Sequence, residues 1–427
     1  MALVGFGMVI TFMYLIMSKR LSAIVALILV PVLFAVASGF GYTAGTMVLD
    51  GIRQLAPTAM MLMFAILFFA IMYDAGLFEP LIRRVVASVG NDPLRVTVGT
   101  ALLSSAISLD GDGSTTVLVV VTALLPIYLR LGMNPLIIAV LLLLTNSPIN
   151  LVPWGGPTAR AASALHLDAM VLFVGLIPVI LGCLVFAFVV ACWLGMRERK
   201  RLNWQGSAVP SSVDNTSDSA VDSHRPGLIW VNLALTLALV AAMGLRLGPL
   251  PVLMMVAFAL ALLINYPKLE DQKRRIAAHA DSVLSVLALI FAAGAFTGIL
   301  TGTGMVDAMS NRFIAVLPDS AGPHLAIITA FASLPFTFFM SNDAFFFGIV
   351  PLLAKAAAQY GIDPMHVARA AVLGQPVHAL SPLLAAGYLM SGLLNREVGE
   401  LQRFCLKWSV LSALVAIGVA LLCGAII

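Results

Sequence analysis

Two short polar stretches stand inside otherwise apolar sequence, and their residue types are those of an ion site. Asp110-Gly111-Asp112-Gly113-Ser114-Thr115-Thr116 sets two carboxylates among glycines and hydroxyls, and Ser341-Asn342-Asp343 repeats the acid, amide and hydroxyl set in the second half. Oxygens of this kind suit hard cations such as magnesium or calcium. An Asp at bilayer depth costs about 2.5–3.5 kcal/mol on insertion scales, so three of them in apolar surroundings call for a functional reason. The plainer reading is that they cap tight turns. An EF-hand loop is excluded, because the twelfth position after Asp110 is Val121 rather than Glu.

A second chemistry surrounds the first. Gly155-Gly156-Pro157-Thr158 and Ala379-Leu380-Ser381-Pro382 each place a proline where a new helix would start. Ser114 or Thr115 can cap the helix after the first tip, and Ser341 to Asp343 precede another apolar helix. Four helix amino ends, each worth roughly half a positive charge, together with Arg160 favour a multiply charged anion such as a carboxylate or oxyanion. The candidate substrate ligands are therefore Gly113, Ser114, Thr115, Thr116, Asn146, Ser147, Asn150, Gly155, Gly156, Thr158, Arg160, Ser341, Asn342, Gln375, His378 and Ser381. A polyanion beside Asp110, Asp112 and Asp343 is repelled unless a cation or protons intervene. Those three acids are the metal candidates, and with His378 they are the proton-carrying candidates. The residues themselves leave metal, sodium and proton open. Asn146, Ser147 and Asn150 also suit a duller task, satisfying carbonyls freed by Pro148. His378 suits a structural role and Arg160 an interfacial anchor. Trp154 and Phe345, Phe346 and Phe347 read as packing, and Asp74 and Glu79 as interface residues.

The elements that must position these residues are membrane spans. Of the 427 residues 61% are hydrophobic and only 10% charged, against about 25% charged in soluble domains. The chain is thus an all-α polytopic membrane protein in a lipid bilayer, with no nucleic-acid footprint. Spanning runs lie near residues 2–17, 21–38, 56–74, 135–165, 170–194, 228–244, 249–266, 282–301, 364–394 and 404–427. The first has its charges behind it and reads as a retained span. Two further apolar segments, 94–131 and 323–360, are split by the polar tips into arms short for a full crossing, so each reads as a re-entrant hairpin lining a cavity.

The sequence also repeats. Asn146-Ser147-Pro148-Ile149-Asn150 recurs 228 positions later as Gly374-Gln375-Pro376-Val377-His378, and Gly76-Leu77-Phe78-Glu79 recurs as Gly304-Met305-Val306-Asp307. The expected domains are a first repeat over 1–200, a cytoplasmic linker over 201–227 rich in Ser and Asp, and a second repeat over 228–427. Five spans per copy is an odd number, so the copies must be inverted, each with one hairpin and one broken span. With both termini outside, eighteen of the 24 basic residues fall in cytoplasmic loops, among them Arg197, Arg199, Lys200, Arg201, Lys273 and Arg274. This puts the first hairpin on the cytoplasmic side and the second on the outer side, with tips meeting near the midplane. Cys183, Cys192, Cys405 and Cys423 have neither ligand nor framework spacing. No Walker lysine follows the glycines at 302 and 304, and no hydrolase or nucleophile constellation is found, so an enzyme is not expected.

Taken together, Ser108-Leu109-Asp110-Gly111-Asp112-Gly113-Ser114-Thr115-Thr116, Pro153-Trp154-Gly155-Gly156-Pro157-Thr158-Ala159-Arg160-Ala161-Ala162, Ser341-Asn342-Asp343-Ala344-Phe345 and Gly374-Gln375-Pro376-Val377-His378 closely resemble the citrate-metal:proton symporter family. The likeness takes in Phe12-Met13-Tyr14-Leu15-Ile16-Met17 and extends over nearly all the chain. That family belongs to the ion transporter superfamily. The resemblance implies an inverted-repeat fold, a homodimer with a scaffold part, and elevator-like movement of the hairpin-bearing part. It also implies proton-driven import, across the cell inner (plasma) membrane, of citrate complexed to a divalent metal such as Mg2+ or Ca2+. No tightly bound cofactor is expected, the metal travelling with the substrate. A sodium-coupled carrier of a di- or tricarboxylate, or of another hydroxy-acid, without metal would share the architecture.

Overall fold

Backbone polar groups find no water in lipid, so apolar runs of this length close their hydrogen bonds internally as helices. The computed structural model describes residues 1–18, 20–111, 113–204, 226–245, 247–316, 318–382 and 384–427, and all regular elements among them are helical. The chain opens with α1 (Ala2–Met17), α2 (Ala23–Ala37) and α3 (Gly41–Asp74), then an amphipathic α4 (Glu79–Val89). The first hairpin follows as α5 (Pro93–Ile107) and α6 (Gly113–Arg130), joined by a short 3-10 turn at Ser108–Asp110. A broken span, α7 (Leu136–Ile149) and α8 (Gly156–Leu165), leads into the long α9 (Ala169–Arg201).

The second half repeats this order. After α10 (Ile229–Gly244), α11 (Leu250–Asn265) and a polar α12 (Leu269–Ala278) come α13 (Ala280–Gly302) and α14 (Met305–Ile314). The second hairpin is α15 (Leu325–Phe339) and α16 (Val350–Ala358), with a π-helical turn at Ala344–Ile349 entering its second arm. The second broken span is α17 (Pro364–Val372), a single turn α18 (Gln375–His378) and α19 (Ala385–Leu394), and α20 (Val398–Leu422) closes the chain. Six described helical stretches are long and apolar enough to cross a membrane.

Two boundaries differ instructively from the expected spans. The third span starts at Gly41 rather than at 56, because the polar first part of α3 stays helical and pairs its own charges, Arg53 Nη1 on Asp50 at 3.1 Å. At 34 residues and about 1.5 Å per residue, α3 is longer than the roughly 30 Å hydrocarbon core, so one end stands outside it. Pro382 does not start a helix either. Pro382 stands in a turn, Leu384 is outside any helix, and α19 begins at Ala385.

What holds the bundle is close packing around α3. A Cβ on Gly51 would lie 2.0 Å from the Gly294 carbonyl oxygen, so α3 and α13 touch backbone to backbone at their crossing. One apolar core gathers α1, α2, α3, α11 and α13 with Phe345, Phe346 and Phe347; another gathers α5, α6, α7 and the later part of α9. Outside the spans, Asp92 caps α5 by accepting from the Leu94 N–H at 3.0 Å and takes Arg199 of α9 on both carboxylate oxygens. Burial pushes the Asp92 carboxyl up, but the Arg199 hydrogen bond, the Leu94 N–H and the charges of Arg199 and Arg95 outweigh it and hold it below its ordinary value. Hairpin and long helix are locked together at that end.

Candidate functional site

A cavity of about 940 Å³ lies where the hairpin tips and broken spans meet α3 and α13. Most of the sequence candidates line it: Gly113, Ser114, Thr115, Asn146, Ser147, Asn150, Gly156, Arg160, Ser341, Asn342, Asp343, Gln375 and His378. Residues from opposite halves of the chain meet on one wall. Arg160 donates from Nε to Asp343 Oδ1 at 2.7 Å, and the two side chains keep only 23% and 13% of their exposure. Asn342 and Gln375 exchange amide hydrogen bonds at 3.2 and 3.0 Å. His378 places Nδ1 2.5 Å from the Thr337 carbonyl oxygen, so Nδ1 carries the hydrogen and Nε2 is the basic nitrogen.

The first tip is braced from behind. Asn146 donates to the Ser108 hydroxyl at 3.0 Å, and Trp154 donates to the Leu109 carbonyl oxygen at 3.0 Å while stacking on Phe69. Asn150 Oδ1 is buried and accepts no hydrogen bond from any described residue, which leaves it as a candidate acceptor on the cavity wall. Gly155 folds against the same residue: a Cβ there would sit 1.8 Å from the Asn150 carbonyl oxygen. Helix amino ends border the cavity at Gly113 of α6, Gly156 of α8, Asp343 ahead of the π-turn, and Leu384 ahead of α19. Such ends offer N–H groups and partial positive charge to an anion.

Other candidates are brought near the cavity without lining it. Thr158 donates to the Leu151 carbonyl oxygen at 2.8 Å and Ser381 to that of Phe338 at 2.7 Å, so both hydroxyls stabilise the helix breaks. Thr116 is fully buried with its hydroxyl 3.5 Å from that of Ser108, and Gly155 is part of the turn itself. Because α6 begins at Gly113, Ser114 and Thr115 occupy its first turn rather than the capping position. Asp112 lies outside the described residues, as does the side chain of Asp110, whose backbone ends the 3-10 turn. The linker over 205–225 lies outside them too.

The sequence reading missed the far end of the cavity. Asp74, expected as an interface residue and standing at the end of α3, accepts from Arg275 at 3.4 Å and lies 2.9 Å from His279 Nε2, and both Asp74 and His279 line the cavity. An acid ending one apolar span opposite a basic cluster starting another was the available signal. The lining runs along α3 from Leu62 to Asp74 and along α13 from Ile290 to Ser282, so the cavity extends toward that end.

Apolar helices around a polar, charge-bearing cavity, broken at matching places in both halves, define a membrane transporter, a class in which the protein moves its ligand rather than converts it. A family model of citrate transporters matches residues 12–374. The chain is 51% identical over 426 residues to a citrate transporter of Bacillus subtilis (strain 168), covering 100% of this chain and 99% of that protein. It is 46% identical over 428 residues to the same organism's Mg(2+)/citrate complex secondary transporter, with 100% and 99% covered. The chain belongs to the citrate transporter family. Among solved structures the fold is that of the YdaH transporter of Alcanivorax borkumensis, with a TM-score of 0.64 at 14% identity over 90% of this chain and 88% of that one. MtrF of Neisseria gonorrhoeae gives 0.57 at 15% identity over 90% and 85%.

Proposed function

We propose that this chain imports citrate as a complex with a divalent cation such as Mg2+ or Ca2+, coupled to protons. Movement is by alternating access, the hairpin-bearing part travelling like an elevator past a scaffold that includes α3 and α13. One observation carries this reading: the half-buried Arg160–Asp343 pair sets a group of each sign on the wall of one cavity. Citrate brings carboxylates to Arg160 and to the helix amino ends, and the metal it chelates brings positive charge to Asp343 and to oxygens such as those of Asn342 and Asn150. The name of the 46% identical relative supports the metal. His378, held by Thr337 through Nδ1, takes a proton on Nε2 in step with the substrate. Asp110 and Asp112 belong to the same proposal by their position before Gly113.

The inverted relation of the halves, the homodimer, the plasma-membrane location and the external termini are part of this reading. The distribution of basic residues supports the orientation, in which the Asp74 end of the cavity faces the cytoplasm. Metal-by-metal citrate uptake into proteoliposomes under an imposed pH gradient tests it. Uptake should need both a divalent cation and an acidic donor side. Uptake that needs sodium and ignores divalent cations would replace this reading with a sodium-coupled carboxylate carrier.

A further inference from the structure

We infer that the Arg160–Asp343 ion pair is the device that makes the site select an assembled metal–carboxylate complex over either component alone. The inference rests on the proposed function and specifies how its site chooses. The pair joins the two halves: Arg160 lies in the first turns of α8, and Asp343, 183 positions away, immediately precedes the π-turn that packs on α8. Each group is the other's partner at 2.7 Å, both are largely withdrawn from solvent, and both face the cavity. Asp343 spends no side-chain hydrogen bond on capping its own helix, so its bond to Arg160 is a separate commitment.

A ligand that takes up either group draws away the charge that balances the other. A bare polycarboxylate that takes Arg160 leaves the Asp343 carboxylate facing a polyanion. A bare divalent cation that takes Asp343 leaves the Arg160 guanidinium facing a cation. Only a ligand that presents a metal and a carboxylate together replaces one broken pair with two new ones, so the penalty falls on the separate components. Among the described residues, the other titratable or charged groups lining the cavity are Tyr73, Asp74, His279 and His378, and Asp74 is already engaged with Arg275 and His279.

The test is calorimetric titration of the purified full-length protein with sodium citrate under metal chelation, with magnesium chloride, and with the equimolar mixture. Asp343→Asn should shrink the preference for the mixture over citrate alone by about tenfold or more. Arg160→Gln should raise magnesium affinity relative to citrate affinity by a similar factor. Asp343→Glu should keep the wild-type preference. A pair that merely braces the fold would lower all three affinities in proportion, and that result overturns the inference, as does an unchanged preference in both neutral variants. A structure of the wild-type protein with bound magnesium citrate decides the matter independently of how the variants fold: Arg160 Nε must have left Asp343, and an intact pair refutes the selector. Wild-type protein that binds citrate equally well without metal would instead overturn the proposed function itself.

Discussion

Gly155 has no room for a side chain, since a Cβ would overlap the Asn150 carbonyl oxygen at 1.8 Å. Gly155→Ala therefore has to open the turn that presents Asn150 and the amino end of α8. Overpacking of this kind costs about 1–3 kcal/mol, so the variant should melt a few degrees lower and lose most citrate uptake, whereas Gly418→Ala, in open space on α20, should change neither. Thermal melts and initial uptake rates on matched preparations check both. His378 makes a different prediction. His378→Gln can still donate to the Thr337 carbonyl oxygen but carries no proton, so citrate counterflow should survive while accumulation driven by an acidic donor side is lost; accumulation at the wild-type level would remove His378 from coupling. Polar residues in apolar runs were legible at this scale because burial of Asn, Asp or His in lipid demands a reason. The partnerships were not. Arg160 meets Asp343 across 183 positions and Asp74 meets His279 across 205, and no local pattern encodes contacts of that range.

Proline and glycine made the broken elements readable. Pro157 stands in the first turn of α8 and Gly155 at its cap, where fixed φ and a missing side chain suit a helix start. Pro382 misled because a proline also suits a turn, and Ser381 bonding to the Phe338 carbonyl oxygen ties down the residue before it. The polar first half of α3 lay outside the expected span, since its charges obscure an apolar run but do not forbid a helix with one end in water. Asp92 gives the element scale its pH dependence. Its carboxyl is held below the ordinary value in the fold, so its contribution is present above about pH 4, the unfolded range, and is lost as pH falls through the folded value. Asp92→Ala removes the α5 cap and the tie to Arg199 and should cost about 1–2 kcal/mol at neutral pH. The gap in melting temperature between wild type and variant should close as the pH drops below about 4; a constant gap would mean that the ionised carboxylate contributes nothing.

Composition and the 228-residue repeat announced a membrane protein of two related halves, because lipid forces helices and matched breaks are hard to explain otherwise. The side from which the cavity is reached depends on how helices pack laterally, and lateral packing leaves no periodic trace. Its lining follows α3 only from Leu62 to Asp74 and α13 only from Ile290 to Ser282, leaving out the described residues toward Gly41 and Gly302. Ser282→Cys places a reporter at that end. In a background with the exposed Cys192 and Cys423 changed to Ser, a membrane-impermeant thiol reagent should label it from the cytoplasmic face in inside-out vesicles and not in intact cells. Labelling should slow when magnesium and citrate are added together, because a complex that closes the cavity or moves the hairpin-bearing part shifts the population away from this open form. Labelling from the outer face alone would reverse the orientation argued from Lys and Arg. Labelling indifferent to the ligand would mean that the Ser282 end does not take part in the transport movement.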